Sequence, residues 1–249
     1  MSGHSKWATI KHKKAATDAK RGAAFSKMSK EITAIAKQGG GDIDTNVSLR
    51  NAMERAKALN MPKDKIDTAI KKGTGEIPGV VYEEVIFDAY GPGGVAMLIT
   101  GLTDNKNRTT AEIKNILSKK NGSLAGPGAT AYLFTQKGFI SIEKDKIGED
   151  ALMDIVLEAG AEDISSDGEY HEVTCEIGDL QTVKEALAAK EIPAITADMT
   201  MVPSTTVAVA GEKAKQVLAL MEALEEHEDA QNVYANFDIS DEEMEKLVG

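Results

Sequence analysis

Tyr170-His171-Glu172-Val173-Thr174-Cys175-Glu176-Ile177 alternates cleanly, with His171, Val173, Cys175 and Ile177 on one face. A period of two is the signature of a half-buried β-strand. Just before it, Asp167-Gly168 marks a tight hairpin turn, which pairs this strand with a second one over Glu162–Ser166. Upstream, Leu152, Ile155, Val156 and Ala159 recur at helical spacing and stop at Gly160, and Phe139–Glu143 is β-rich. Downstream, Asp179 is an acceptable cap for a helix carrying Leu180, Val183 and Leu187, and Ala194–Val202 returns as a strand. The order strand-helix-strand-strand-helix-strand is the split βαβ, ferredoxin-like arrangement. It spans residues 136–202, and Cys175 is simply one of its core residues.

The flanks of this unit read as one interrupted domain. Before it come two β-rich runs, Val80–Tyr90 and Val95–Leu102, joined by the turn Gly91-Pro92-Gly93-Gly94. Thr109 and Glu112 are spaced as a capping box for a helix with Ile113, Ile116 and Leu117. A glycine-rich loop, Asn121–Gly128, and a short strand, Ala131–Thr135, follow. After residue 202, Lys213–Glu226 has a helical stripe (Val217, Leu218, Met221, Leu224) and Asn232–Ile239 a strand pattern. Residues 80–135 and 203–240 thus read as a discontinuous middle domain, a second ferredoxin-like α/β sandwich, with 136–202 inserted into it.

Residues 1–75 are different again. Phe25, Met28, Ile32 and Ile35 form a helical stripe ended by Gly39-Gly40-Gly41. A second helix starts near Thr45 or Asn46 with Leu49, Met53 and Ala56. A third starts at Pro62, carries Ile66 and Ile70, and stops at Gly73. Gly73–Gly79 is a linker. Asp42-Ile43-Asp44-Thr45-Asn46 begins like a calcium loop but has Val47 where glycine is needed and Met53 where the bidentate glutamate belongs. The fold class is therefore α+β with three domains: an N-terminal helical bundle and two α/β sandwiches, one inserted in the other.

Charge is partitioned along the chain. Its total is −11, yet residues 1–75 carry +9 and residues 76–249 carry −20. The excess is sharpest in an N-terminal arm, where eight Lys/Arg up to Lys30 face one acid, Asp18. Clustered Lys and Arg displace counterions condensed on phosphates, and Trp7, the single tryptophan, offers a stacking surface inside the arm. The arm candidates for phosphate contact are Lys6, Trp7, Lys11, Lys13, Lys14, Lys20 and Arg21. Lys106 and Arg108 join them, because they project beside a helix N-terminus, where free N–H groups and the dipole favour anions. The acidic remainder faces away from phosphate or meets a protein. The run Glu225-Glu226-His227-Glu228-Asp229 at a helix end reads as a solvated terminus or as a contact for a basic partner.

Other chemistries find no support. His4, His12, His171 and His227 lack zinc-binding spacing, and no nucleophile elbow, P-loop or dinucleotide fingerprint occurs. One cysteine allows no internal disulfide and fits a reducing compartment. No apolar run approaches the roughly 18 residues of a membrane span. The expectation is a cytoplasmic, non-enzymatic protein without catalytic residues, metal or cofactor, and of undetermined oligomeric state; with a merely solvated arm, the alternative is a protein–protein scaffold.

Several ordered blocks carry a resemblance. They include Gly3-His4-Ser5-Lys6-Trp7, Lys11-His12-Lys13-Lys14-Ala15-Ala16, Asp18-Ala19-Lys20-Arg21-Gly22, Asn60-Met61-Pro62-Lys63-Asp64, Tyr90-Gly91-Pro92-Gly93-Gly94, Thr103-Asp104-Asn105-Lys106-Asn107-Arg108-Thr109 and Gln231-Asn232-Val233-Tyr234-Ala235-Asn236-Phe237. Together they resemble the YebC/PmpR family, which includes a mitochondrial translational activator of cytochrome oxidase subunit I. The resemblance implies a three-domain cytoplasmic regulator that binds DNA to control transcription, or one that acts in translation through the ribosome and its RNA. It implies the same contact residues that charge selects: Lys6, Lys11, Lys13, Lys14, Lys20, Arg21, Lys106 and Arg108.

Overall fold

The computed structural model describes residues 18–166 and 169–248, together with Trp7. The Asp167-Gly168 turn lies outside the described residues. Contacts divide the described residues into two compact units, one of residues 18–129 with 216–233, the other of residues 130–215 with 234–248 and Trp7.

The first unit opens with three helices: α1 (Asp18–Gly39), α2 (Val47–Ala58) and α3 (Lys63–Thr74). α1 ends as the glycine run predicts, with Gly40 at φ +82°. Asn46 caps α2, its side-chain oxygen accepting the Leu49 N–H at 3.0 Å, while its amide donates to Gly40 O at 2.8 Å. Thr45 does not cap, and its hydroxyl donates instead to Asp42 O at 3.3 Å. α3 runs one residue past Gly73 and stops at Gly75, φ +80°. Met28, Ile32, Leu49, Ala52, Ala56, Met61, Ile66 and Ala69 form the core of the bundle.

Gly73 stays helical because α1 and α3 cross there. A Cβ at this position would lie 2.5 Å from the Thr33 carbonyl oxygen.

The same unit holds β1 (Glu83–Tyr90), β2 (Ala96–Thr103), α4 (Lys106–Lys119), β3 (Ser123–Leu124) and the short connection between them. Later in the chain come α7 (Gly211–Glu225) and β9 (Ala230–Ala235). The sheet order is β3-β1-β2-β9, so the late strand joins the early hairpin. Val85, Ala89, Met97, Ile99, Ile113, Leu117, Leu220 and Met221 are buried in it. β1 begins at Glu83 rather than Val80, and Val80 and Val81 remain exposed.

Helix α4 begins earlier than its capping-box pattern suggests. Its cap is Asn105, whose side chain accepts the Arg108 N–H at 3.1 Å. Thr109 sits inside the helix and is buried. Asn105 wins because the Thr103 hydroxyl takes its own N–H at 2.9 Å and fixes the turn.

The second unit contains β4 (Phe134–Glu143), α5 (Glu149–Glu158), β5 (Ala161–Ser165), β6 (Tyr170–Cys175), α6 (Leu180–Ala189) and β7 (Thr196–Pro203). Its sheet order is β5-β6-β4-β7, with antiparallel neighbours throughout. This is the ferredoxin-like arrangement expected. Ile140 pairs with Val173 and Ile142 with His171, and Leu152, Val156, Val183 and Leu187 close the core from the helices. Residues 131–135 are a 3-10 turn (Ala131–Leu133) leading into β4, not a separate strand. Gly138 does not interrupt β4, because the Cys175 sulfur occupies the space its Cβ would take, at 2.6 Å. Burial pushes the Cys175 thiol up, and nearby Asp179, Glu162 and Glu176 add to it.

His171 is a core histidine. Its Nε2–H donates to Ile147 O at 3.0 Å and its Nδ1 accepts from the Ser166 hydroxyl at 2.8 Å.

β8 (Val207–Ala208) and β10 (Phe237–Asp238) pair in parallel, and α8 (Asp241–Val248) follows. The run expected as one strand over 232–239 is thus split at Asn236. That residue is buried, its amide donates to Thr205 O at 3.0 Å, and its carbonyl accepts from Val207 N.

Gly73→Ala is expected to destabilise the protein by about 1–3 kcal/mol, although alanine is the better helix former. A urea unfolding curve checks this, through a lowered midpoint with an unchanged slope.

Candidate nucleic-acid interface

The arm residues Lys6, Lys11, Lys13 and Lys14 lie outside the described residues. Trp7 is half-buried, and Lys20 and Arg21 fall in the first turn of α1. The described cations of the bundle surface are Lys37 on α1, Arg50 and Lys57 on α2, and Lys63, Lys65, Lys71 and Lys72 on α3, all exposed. Arg50 is held locally, donating to Ile43 O at 2.9 Å and Asp44 O at 3.2 Å. Lys65 rests 5.5 Å from the Phe25 ring centroid. The others project as ammonium groups on flexible stems, suited to phosphate as point charges.

Lys27 and Lys30 behave differently. They point from α1 at the acidic end of α7, the run Glu225–Asp229. Lys27 Nζ donates to Glu225 O at 2.6 Å, satisfying one of the orphan carbonyls at a helix C-terminus. Lys30 Nζ donates to Glu228 O at 3.1 Å and to Asp229 Oδ1 at 2.5 Å.

Asp229 is the centre of this contact. Its side chain is fully buried, and its Oδ2 accepts from Arg108 at 2.6 Å and from the Thr109 hydroxyl at 2.7 Å. Its backbone carbonyl accepts the Leu102 N–H at 2.9 Å, and its N–H donates to His227 Nδ1 at 3.2 Å. His227 in turn meets Glu112 at 3.0 Å. Burial acts to raise the Asp229 carboxyl. Hydrogen bonds from Lys30, Thr109 and Arg108 outweigh it and hold the group well below the usual carboxylate range.

Lys30 of α1 and Arg108 of the first turn of α4 meet on one carboxylate. Lys106 pairs with Glu83 at 2.8 Å on the exposed side of the same turn. Lys106 and Arg108 thus both take internal acidic partners, with Arg108 also 3.0 Å from Asp104.

The sequence marks Asp229 only as part of a run that is either a solvated end or a contact for a basic partner, and the structure shows the second. The available signal was a dipole conflict: five residues rich in acid at a helix C-terminus, where negative charge is unfavourable, call for a counter-charge. The basic partner is in the same chain.

Relatives match the chain over nearly its whole length. Residues 5–76 match the domain described as the TACO1/YebC protein N-terminal domain, and residues 82–237 match the TACO1/YebC second and third domain. The chain belongs to the TACO1/YebC family. A TACO1/YebC relative from Natranaerobius thermophilus, named a "Probable transcriptional regulatory protein", is 53% identical over 98% of this chain and 99% of its own. One of the same description from Geobacter sulfurreducens is 51% identical over 100% of both chains. The crystal structure of a conserved hypothetical protein from Aquifex aeolicus is similar, with a TM-score of 0.80 and 41% identity, over 90% of this chain and 93% of that one. Among the described residues of this TACO1/YebC chain, no helix is long and apolar enough to cross a membrane, and no three His, Cys, Asp or Glu side chains converge to hold a metal ion.

Asp229→Asn removes a buried charge and strands Lys30 and Arg108, so it is expected to destabilise by about 3–5 kcal/mol at neutral pH. A carboxyl whose native pKa is depressed contributes stability above the ordinary carboxylate range and loses it as pH falls through the native value. The gap between wild type and variant in denaturant midpoint should therefore be full at pH 7 and narrow below about pH 4. A gap independent of pH would refute this role of the charge.

Proposed function

We propose that this protein is a non-enzymatic, cytoplasmic regulator of gene expression that binds nucleic acid through its basic arm and helical bundle. The observation that carries this reading is the charge partition, +9 in residues 1–75 against −20 in the remainder, together with the α3 ammonium groups of Lys63, Lys71 and Lys72, which are exposed and have no ion-pair partner among the described residues. Lys6, Lys11, Lys13, Lys14, Lys20 and Arg21 supply the arm contacts. Trp7 supplies stacking, and Lys106 and Arg108, each already held by an acidic partner, are the remaining candidate contacts. The names of its relatives favour transcription and hence DNA. The acidic remainder repels phosphate, so it orients the molecule or receives a basic protein.

One observation favours a second reading. α3 presents Lys63, Lys65, Lys71 and Lys72, point charges rather than the Arg, Asn and Gln forks that read base edges. Phosphate contacts position a protein without specifying sequence, which suits ribosomal RNA and a role in translation.

Binding to a duplex DNA and to a ribosomal RNA fragment, followed by anisotropy across a salt series, tests the reading. With about five phosphates neutralised, log K on duplex DNA should fall with log salt at a slope of about −4 to −5. Deleting residues 1–21 should flatten that slope. A slope near zero for the full chain would overturn the proposal. Sedimentation of native lysate with RNase or DNase then separates the two targets: an RNase-sensitive ribosomal fraction selects translation, a DNase-sensitive heavy fraction selects transcription.

A further inference from the structure

We infer that the cleft between α1, the end of α3 and the linker that follows receives one unpaired nucleotide of a single-stranded nucleic acid. This rests on the nucleic-acid reading above and narrows it to a substrate class. The cleft has a volume of about 300 Å³, the lower end of the roughly 300–1,000 Å³ of small-ligand sites. That suits a base with its sugar and little more.

Its walls and its rim differ in character. Ile77, Val80, Val81 and Tyr82 line it. Val80 and Val81 are 51% and 56% exposed, two consecutive valines of a linker left in water beside a concave surface. Tyr82 is half-buried, with the Lys30 ammonium 5.8 Å from its ring centroid, and it is the aromatic on which a base would stack. Lys37 and Lys72 stand at the cleft from opposite helices. Both are exposed, and neither forms an ion pair with a described residue, although Lys37 lowers the nearby Glu83 carboxyl after the larger effect of Lys106. An apolar slot between two free ammonium groups fits an apolar ring carried on a polyanion.

The cleft is held open by the chain itself. Gly75 turns the backbone at φ +80°, and Ile77 N–H returns to Lys71 O at 3.3 Å. Gly79 lies so close to α3 that a Cβ there would come within 3.0 Å of the Lys72 Cβ. The linker is therefore folded back on the helix end, and the slot needs no ordering when a ligand arrives. A base inside a duplex is stacked and paired and cannot enter. An unpaired one can be splayed out into it.

The test uses the full chain and a short labelled RNA of mixed sequence in three forms: single-stranded, fully duplexed, and single-stranded with abasic residues. Wild type should bind the base-bearing strand about tenfold more tightly than the abasic one. The double variant Lys37→Gln/Lys72→Gln should flatten the salt slope on the base-bearing strand by about 1.4, two phosphate contacts at single-strand density. Val81→Trp, which fills the slot, should lower the preference for bases to what Trp7 alone supplies and leave duplex binding unchanged. Unfolding midpoints matching wild type show that the variants are folded. Equal binding of abasic and base-bearing strands by wild type, with duplex binding retained, overturns the cleft alone. So does a Val81→Trp variant that keeps the full wild-type preference. Failure to bind any of the three forms overturns the nucleic-acid reading and the cleft with it.

Discussion

A buried carboxylate with three donors sets the form of the first unit. Asp229 takes Lys30 from the arm helix, and Arg108 and Thr109 from the first turn of α4. Its own backbone is tied to β2 through Leu102. A lone charge in such a place would be strongly unfavourable, and here the donors convert it into a joint. The fit extends to the backbone: a Cβ at Gly101 would lie 2.4 Å from the Asp229 carbonyl oxygen. The helical bundle is therefore fixed against the sheet by a short list of hydrogen-bonded charges in addition to apolar packing.

That joint reorders the meaning of the charge partition. Not every cation of the basic part is available to an external polyanion. Lys27 and Lys30 are committed to the end of α7, and Arg55 is paired with Glu31. Within the bundle, the exposed lysines with no ion-pair partner among the described residues are Lys37, Lys57, Lys63, Lys65, Lys71 and Lys72. The acidic segment 225–229 thus serves two purposes, neutralising the inward side of α1 and leaving the outward side basic.

Much of this was legible in the residues. The alternation of His171, Val173 and Cys175 and the stripes of Leu152, Val156, Val183 and Leu187 predicted the ferredoxin-like unit, because local periodicity and global burial agree there. The three helices of the bundle were equally clear. What the pattern missed shares one cause, contact with residues distant in sequence. Thr109 looks like a cap by spacing but is claimed by Asp229, and Asn105 caps instead because Thr103 fixes it. Asn236 looks like mid-strand but spends its amide on Thr205. The linker valines looked like the start of β1 but lie along a cleft that only the folded α1 and α3 create. Asp229 itself gave no local sign beyond an unfavourable dipole.

The distance along the chain between the partners of the joint has a consequence for synthesis. Lys30 and Asp229 are 199 residues apart, while the bundle core is complete once Ala69 has been made. At about 5–20 residues per second, roughly 10–40 s pass between the two partners on the ribosome. Throughout that interval Lys27 and Lys30 lack the acidic segment that compensates them, so the N-terminal part is at its most basic while still attached to the machine that makes it.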